Sequence, residues 1–182
     1  DICARNNIKN DRILNILIKK MAESVKQPLS YNRLKNVIVA TGSPISVPTT
    51  IDYVDYATDS WLILPMENEI GKLTEKEMQK KYYFVDNGLL NLFLINSETS
   101  LLENIVAVEL CRQFGKKNVF FLSAEKEIDF IVPDVKLAIQ VSYSIKEEAT
   151  HNREVAPLVK YSKTHEDWTC LLITYDEEGA EE

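Results

Sequence analysis

Residues 127 to 144, EIDFIVPDVKLAIQVSYS, contain the pattern that most restricts the fold of this chain. Apolar and polar residues alternate on both sides of a short turn, which predicts two neighbouring β-strands. Side chains alternate between the two faces of a strand, so Asp129 on the first strand and Gln140 and Ser142 on the second can share one side of the sheet. On the first strand, the opposite face is predicted to hold three apolar residues: Ile128, Phe130 and Val132.

Polar side chains on such a face have the composition of a metal-dependent phosphodiesterase site. Two or three carboxylate or carbonyl oxygens hold Mg²⁺, which activates one of its waters, and a lysine steadies the charge of the transition state. Glu103, on a predicted helix before the strands, can point toward Asp129, and these two carboxylates are the candidate metal ligands. Mg²⁺ is the cofactor that we expect if the site is active.

Two positions depart from this composition. Gln140 offers one neutral oxygen in place of a carboxylate, which lowers the affinity for a hard divalent cation. Ser142 carries no charge in place of a lysine, and the loss of one preorganised electrostatic group costs roughly a hundredfold in rate. The four residues Glu103, Asp129, Gln140 and Ser142 therefore predict a degenerate site, and we expect this part of the protein not to be an enzyme.

The charge distribution predicts two domains. The net charge of −7 argues against a dedicated nucleic-acid-binding protein. The first 80 residues are nearly neutral, whereas the remainder is strongly acidic, so we place a boundary near residue 80. The predicted domains are residues 1–80 and 81–182.

The first domain shows three helical patterns followed by two strand patterns. The helices cover residues 11–27, 30–42 and a segment that begins at Ser46, with Asp11, Ser30 and Ser46 as predicted caps. Two apolar strands follow, WLILPME and KYYFV. Three helices and a two-stranded ribbon are the order of a winged helix.

The second domain mixes helices and strands. An amphipathic helix covers residues 101–115 and ends at Gly115. Four strands are predicted, at residues 118–123, 127–133, 136–144 and 169–176. A helix between the last two strands allows a parallel crossover. The fold class is therefore α/β (α+β), with an N-terminal winged helix followed by a mixed β-sheet flanked by helices.

Other kinds of site receive no support from the sequence. Three cysteines lie far apart and none belongs to a C-x-x-C pair, which argues against a disulfide framework or a zinc site. The five glycines never form the phosphate-binding loop of an ATPase. No apolar run approaches the length of a membrane span, so we expect a cytoplasmic protein without membrane contact.

The order of four motifs resembles the C-terminal region of a large family of bacterial and archaeal predicted AAA-type ATPases. The motifs are KKYYFVDNGLLN, LLENIVAVEL, EKEIDFIV and AIQVSYS. In that family, a nucleotide-binding domain precedes a winged helix and a domain of unknown function with a restriction-endonuclease-like, PD-(D/E)xK-type core. The resemblance covers nearly the whole chain.

The resemblance implies a role for each candidate residue. Glu103 matches the acid of the core helix and Asp129 the acid of the strand, while Gln140 and Ser142 stand where an active member has Glu and Lys. It also implies that ATP binds only in an absent N-terminal domain, which is then the first expected partner. The expected function is a binding or regulatory module that serves this ATPase.

Nucleic-acid binding is a weaker expectation. The helix in the reading position carries Asp52, Asp55 and Asp59 and neither Lys nor Arg, so it repels phosphate. The first two helices are more basic and can contact a DNA backbone through four residues: Lys19, Lys20, Arg33 and Lys35.

Two alternatives remain open. The first is a divergent but active Mg²⁺-dependent DNA nuclease, in which another lysine, such as Lys126 or Lys136, reaches the site. The second is a protein-interaction domain with no nuclease ancestry. Convergence of Glu103, Asp129 and Gln140 on one spot of a mixed sheet would favour nuclease ancestry over this second alternative.

Overall fold

The computed structural model describes residues 2–95, 97–123 and 127–179. Within these residues, eight α-helices and two β-sheets form a mixed structure. The predicted fold class, α/β of the α+β type, is confirmed at this level.

The N-terminal half begins with four helices: α1 (Ile2–Arg5), α2 (Asp11–Glu23), α3 (Tyr31–Ala40) and α4 (Val47–Asp59). The predicted caps of α3 and α4 are confirmed, because the Ser30 hydroxyl accepts from the Arg33 N–H and the Ser46 hydroxyl from the Thr49 N–H. The predicted cap Asp11 is wrong. Asp11 is the first residue of α2 itself, and no side chain caps that helix.

A three-stranded antiparallel sheet accompanies these helices, and its first strand lies between α2 and α3. Its strands lie in the order β1 (Leu29–Ser30), β3 (Gln79–Phe84) and β2 (Ile63–Met66), with the short helix α5 (Leu73–Met78) between β2 and β3. The sequence predicted β2 and β3 but not β1, which is too short to show a period of two. Because β3 is the central strand, both of its edges are hydrogen-bonded.

The C-terminal half contains the second sheet. Its elements are α6 (Asn87–Asn91), α7 (Glu98–Phe114), β4 (Phe120–Ser123), β5 (Glu127–Val132), β6 (Leu137–Val141), α8 (Glu148–Ser162) and β7 (Thr169–Ile173). The strands lie in the order β4-β5-β6-β7, and only the β6–β7 pair is parallel. The chain passes from β6 to β7 through α8, so the predicted helical crossover is confirmed.

The two halves share one hydrophobic core. The main cluster of buried apolar side chains runs from Ile13 in α2 to Val141 in β6. Hydrogen bonds also join the sheets, since the Phe121 N–H donates to the Glu67 carbonyl and the Glu69 N–H donates to the Phe121 carbonyl. Strand β3 (Gln79–Phe84) spans the predicted domain boundary near residue 80. The division into two domains stays a prediction.

Helix α7 buries polar residues as well as apolar ones. Glu103 and Asn104 are on its buried face together with Ala107 and Leu110, and Gly115 ends the helix at φ 85°. Buried polar groups need partners. Those of Asn104 lie around the end of β3, and those of Glu103 lie in the candidate site. In the described part of the chain, no helix has both the length and the apolar character needed to cross a membrane.

Candidate functional site

The predicted site residues meet in one cavity of about 540 Å³. Glu103 from α7, Asp129 from β5 and Gln140 from β6 all line it, together with Glu127. Ser142 lines a smaller adjoining cavity of about 260 Å³. The structure therefore brings three of the four predicted residues together on one side of a mixed sheet.

A lysine that the sequence analysis did not select lies at the centre of this group. The Nζ atom of Lys81 is 2.7 Å from Glu127 Oε1, 3.2 Å from Asp129 Oδ1 and 3.4 Å from Glu103 Oε1. Its side chain is 0% exposed. Three carboxylates thus surround one fully buried ammonium, and we call Lys81, Glu103, Glu127 and Asp129 the lysine–carboxylate cluster.

Strand β3 explains why Lys81 points into the cluster. Side chains two residues apart share a face, so Lys81 and Tyr83 point the same way. The Tyr83 hydroxyl donates to Glu103 Oε1 at 2.9 Å. The neighbouring Lys80 instead pairs with two other carboxylates, those of Glu67 and Glu77. The sequence KKYYFV shows two lysines beside a run of aromatic residues, but not which of the two points into the site.

A β-bulge sets the position of Asp129. Phe120 pairs with Ile131 and Leu122 pairs with Ile128, so β5 has one more residue than β4 between these pairs. Such a bulge turns side chains to new directions and is frequent next to functional sites. It also corrects the predicted strand face, because Ile128 packs with Ile131 in the smaller core cluster rather than with Phe130.

Side chains replace the backbone ladder next to this bulge. The Val141 N–H donates to Asp129 Oδ2 at 3.0 Å, and the Asp129 N–H donates to Gln140 Oε1 at 3.3 Å. Strands β5 and β6 are bridged here by an aspartate and a glutamine. Asp129 therefore has a fixed orientation in which one oxygen faces β6 and the other faces Lys81.

Gln140 is held at both ends of its amide. Its oxygen accepts from the Asp129 N–H, and its Nε2 donates to Glu154 Oε2 of α8 at 2.9 Å. Arg153 binds the other oxygen of Glu154 at 2.7 Å. The Ser142 hydroxyl donates to the Ser144 carbonyl at 3.0 Å, and the Ser142 N–H donates to the Ile173 carbonyl of β7. Gln140 is thus a structural link between the site and α8. These hydrogen bonds do not join Ser142 to the lysine–carboxylate cluster.

The buried charges shift one another's pKa values. Burial raises the pKa of Glu103 to about 7, Lys81 opposes this shift, and Asp129 adds to it. Burial lowers the pKa of Lys81, but the combined charges of Glu103, Asp129 and Glu127 outweigh it, and the net direction is upward. Lys81 is therefore an ammonium at neutral pH, whereas Glu103 is close to its titration point.

The lysine–carboxylate cluster as it is placed does not fit a Mg²⁺ ion. Among the described residues, no three His, Cys, Asp or Glu side chains are arranged to hold a metal ion. Glu103 Oε1 and Asp129 Oδ1 both bind Lys81 Nζ. The second oxygen of Asp129, Oδ2, accepts from the Val141 N–H. Mg²⁺ needs near-octahedral oxygen ligands, so it would have to displace the ammonium first.

Of the two alternative lysines, Lys136 does not reach the site. Lys136 forms an exposed ion pair with Asp167, at the turn between β5 and β6. Lys126 lies outside the described residues. The predicted DNA contacts are on two helices: Lys19 and Lys20 on α2, and Arg33 and Lys35 on α3. Lys20 forms an ion pair with Glu23.

Helix α4 has the acidic character predicted for it. Burial and then the nearby charges of Asp59 and Asp52 raise the pKa of Asp55. Three carboxylates on one short helix repel phosphate. The structure therefore gives α4 no means of reading DNA bases through basic side chains, since within Val47–Asp59 neither Lys nor Arg is present.

A protein family of unknown function matches the N-terminal part of the chain. The family model described as "Domain of unknown function (DUF8612)" matches residues 1–100. This segment includes the whole three-stranded sheet and Lys81, and it ends inside α7 just before Glu103.

Two curated proteins are similar along almost the whole chain. "Uncharacterized protein MJ1544" of Methanocaldococcus jannaschii is 28% identical over 189 residues, which covers 100% of this chain and 42% of that protein. An uncharacterized protein of Haemophilus influenzae is 31% identical over 180 residues, which covers 96% of this chain and 43% of that protein. This chain therefore spans less than half the length of these curated relatives. No solved structure matches it.

Proposed function

This chain belongs to the DUF8612 family of domains of unknown function, and we propose that it is a nuclease-like binding or regulatory module of a larger ATPase. In this proposal, a lysine ammonium occupies the place where a nuclease holds its metal ion. The observation that carries the proposal is the position of Lys81, with Nζ within 2.7 to 3.4 Å of three carboxylates.

The charge balance of the lysine–carboxylate cluster favours binding over hydrolysis. An ammonium carries one positive charge and has no vacant coordination position, so it cannot activate a water as Mg²⁺ does. Gln140, at the position of a third ligand, is neutral and already bonded at both ends. In this proposal, the cavity beside the cluster binds a ligand but has no means to generate a nucleophile.

The architecture supports a nuclease-like ancestry. Helices α2, α3 and α4 with the ribbon β2–β3 agree with the order of a winged helix. A mixed sheet follows, with acids on a helix and on a bulged strand that converge on one cavity. Convergence of Glu103, Asp129 and Gln140 favours this ancestry over an unrelated interaction domain.

The ATPase is proposed from the resemblance of four sequence motifs. The relatives are more than twice as long as the matched region, which leaves room in them for a nucleotide-binding domain. In this arrangement, the module contributes binding or regulation, and the ATP site lies elsewhere in the parent protein. The expected partners are that domain and either a DNA backbone or a protein.

Replacing Lys81 tests the proposal directly. Lys81→Met removes the ammonium and leaves three carboxylates facing one another, so we expect Mn²⁺ to bind this variant at least about tenfold more tightly than the wild type. Calorimetric titration measures both affinities. Lys80→Met is the matched control, because Lys80 neighbours Lys81 on β3 but pairs with different carboxylates, and it should bind Mn²⁺ as the wild type does.

Nuclease assays complete the test. We expect purified wild-type protein to leave plasmid DNA intact with Mg²⁺ or Mn²⁺. If the wild type bound Mn²⁺ tightly and Lys81→Met bound it with no higher affinity, the ammonium would not take the place of a metal. Cleavage that disappears in Asp129→Ala would show that the site is catalytic.

An active metal-dependent nuclease is the second candidate, and Lys81 itself favours it. Lys81 supplies from β3 the positive charge that Ser142 lacks, and Glu127 adds a carboxylate that the sequence analysis did not include. If a divalent ion displaced the Lys81 ammonium from Asp129, that ammonium would remain near the phosphate of a bound substrate. This candidate predicts cleavage that is lost in Lys81→Met and kept in Lys80→Met.

A further inference from the structure

Trp61 occupies a backbone position that favours glycine. It follows the end of α4 and has φ 55°, in the left-handed region. The Leu62 N–H donates to the Ala57 carbonyl and the Trp61 N–H donates to the Thr58 carbonyl, each at 3.0 Å. This bonding is the Schellman motif, in which Gly usually takes the place that Trp61 has here, because a Cβ is disfavoured at positive φ.

Burial of the Trp61 side chain does not offset the conformational cost of its positive φ. The Trp61 side chain is 68% exposed, so little of its apolar surface is removed from water. A bulky residue at positive φ is a conformational outlier, and such outliers concentrate at functional positions. An exposed indole held at this turn therefore indicates a contact outside the chain.

A positive charge lies beside the indole, and a second follows it in the sequence. The Nζ atom of Lys116 is 5.4 Å from the centroid of the Trp61 ring. Lys116 and Lys117 line a cavity of about 350 Å³ with Phe120 and Pro65. Within the described ranges, neither lysine forms an ion pair, and Glu67, the carboxylate of this cavity, binds Lys80 at 3.2 Å.

We propose that Trp61, Lys116 and Lys117 bind single-stranded nucleic acid. An indole offers a flat face on which a nucleobase of any sequence can stack, and the two ammoniums offer contacts to the adjacent phosphates. Neither lysine has a carboxylate partner among the residues that the structure describes, so a phosphate would not have to compete with an ion pair from these residues. This surface is separate from the lysine–carboxylate cluster and does not depend on the function proposed for it.

Fluorescence titration tests the surface. The chain has two tryptophans, so a Trp168→Phe background leaves Trp61 as the reporter. We expect oligothymidylate to quench its emission saturably, and the binding to weaken with salt. Lys116→Ala and Lys117→Ala should each reduce the slope of log affinity against log salt by roughly 0.7. Lys163→Ala, an exposed lysine at the end of α8, is the matched control and should leave the slope unchanged.

Trp61→Gly separates a binding role from a folding role. Glycine suits φ 55°, so the variant should unfold at the same or a higher temperature than wild type, while its affinity for a fluorescein-labelled oligothymidylate falls at least about fivefold. Absence of saturable binding by wild type, or equal affinity in Trp61→Gly, would overturn the proposal. Trp61-dependent binding of poly-glutamate with equal affinity would overturn it as well, since it would indicate an acidic protein partner.

Discussion

At the scale of single residues, the candidate site depends on one side chain that lies far from its partners in the sequence. Lys81 and Asp129 are 48 positions apart, yet their charged atoms are 3.2 Å from each other. Glu103 and Asp129 were identified from their residue types and from the predicted helix and strand. Lys81 was not, because nothing local in KKYYFV indicates which face of β3 meets three carboxylates.

Removal of Lys81 should destabilise the protein strongly. Lys81→Met leaves buried carboxylates without a counter-charge, and breaking one side of a buried ion pair typically costs about 3 to 5 kcal/mol. Lys80→Met should cost about 1 kcal/mol or less, since the partners of Lys80 are exposed. Urea unfolding measures both free energies. Equal losses in the two variants would contradict the central role of Lys81.

Stability should also depend on the titration of Glu103. Burial raises its pKa to about 7, against 4.5 for an ordinary glutamate. Between these pH values the folded protein holds a proton that the unfolded chain has released, so the free energy of unfolding contributed by Glu103 falls as the pH rises from 4.5 to 7. Below pH 4.5 this contribution is fully present.

The variant Glu103→Gln measures this contribution. We expect its stability to change less between pH 5 and pH 7.5 than that of the wild type, as determined by urea unfolding at each pH. Glu109→Gln is the matched control on the exposed face of α7 and should retain the decline seen in the wild type between these values. A decline that persists in full in Glu103→Gln would show that another group causes it.

At the scale of elements, the sequence predicted what local patterns encode. Ser30 and Ser46 begin helices because their hydroxyls satisfy free N–H groups, and Gly115 ends α7 because it adopts a positive φ. The bulge in β5 was not predicted, because strict alternation assumes equal residue numbers on paired strands. The two-residue strand β1 is defined only by its pairing with β3.

Asn104 joins two elements in a way that can be tested. Its Oδ1 accepts from the Phe84 N–H at 2.7 Å, and its Nδ2 donates to the Phe84 carbonyl at 2.8 Å and to Asn87 Oδ1 at 2.9 Å. The side chain thus acts as a strand partner for the end of β3. Asn104→Ala should lower the free energy of unfolding by roughly 2 kcal/mol or more, because it leaves buried backbone groups unsatisfied.

A second asparagine on the same part of the chain provides the comparison. Asn118 donates to the Phe114 carbonyl at the exposed end of α7, where water can replace the lost bond. Asn118→Ala should therefore cost about 1 kcal/mol or less by chemical denaturation. A similar cost for both substitutions would mean that Asn104 does not fix the position of β3 against α7.

At the scale of the whole molecule, the shared core argues for cooperative unfolding. The main cluster of buried side chains includes residues from both predicted domains, and backbone bonds around Phe121 connect the two sheets. The acidic second half did suggest a boundary near residue 80. However, the charge composition reflects the surface of the protein. The cooperativity of unfolding depends on the buried apolar side chains that both halves share.

The two tryptophans allow this to be measured. Trp61 lies in the N-terminal half and Trp168 in the C-terminal half, so Trp168→Phe and Trp61→Phe each leave a reporter in one half. We expect each half to lose its fluorescence signal at the same urea concentration as the helical circular dichroism of the same variant. A fluorescence midpoint that is clearly separated from the dichroism midpoint in either variant would show that the halves unfold independently.

The central place of β3 restricts which length differences the family can accept. Residues 70–78 form a connecting segment with one short helix, where an added residue changes mainly the path between two strands. Inside Gln79–Phe84, a single insertion or deletion would exchange the two faces of the strand and send Lys80 or Tyr82 toward the acids. When more sequences of this family are aligned, gaps should therefore gather before Gln79 and be missing from the six positions of β3.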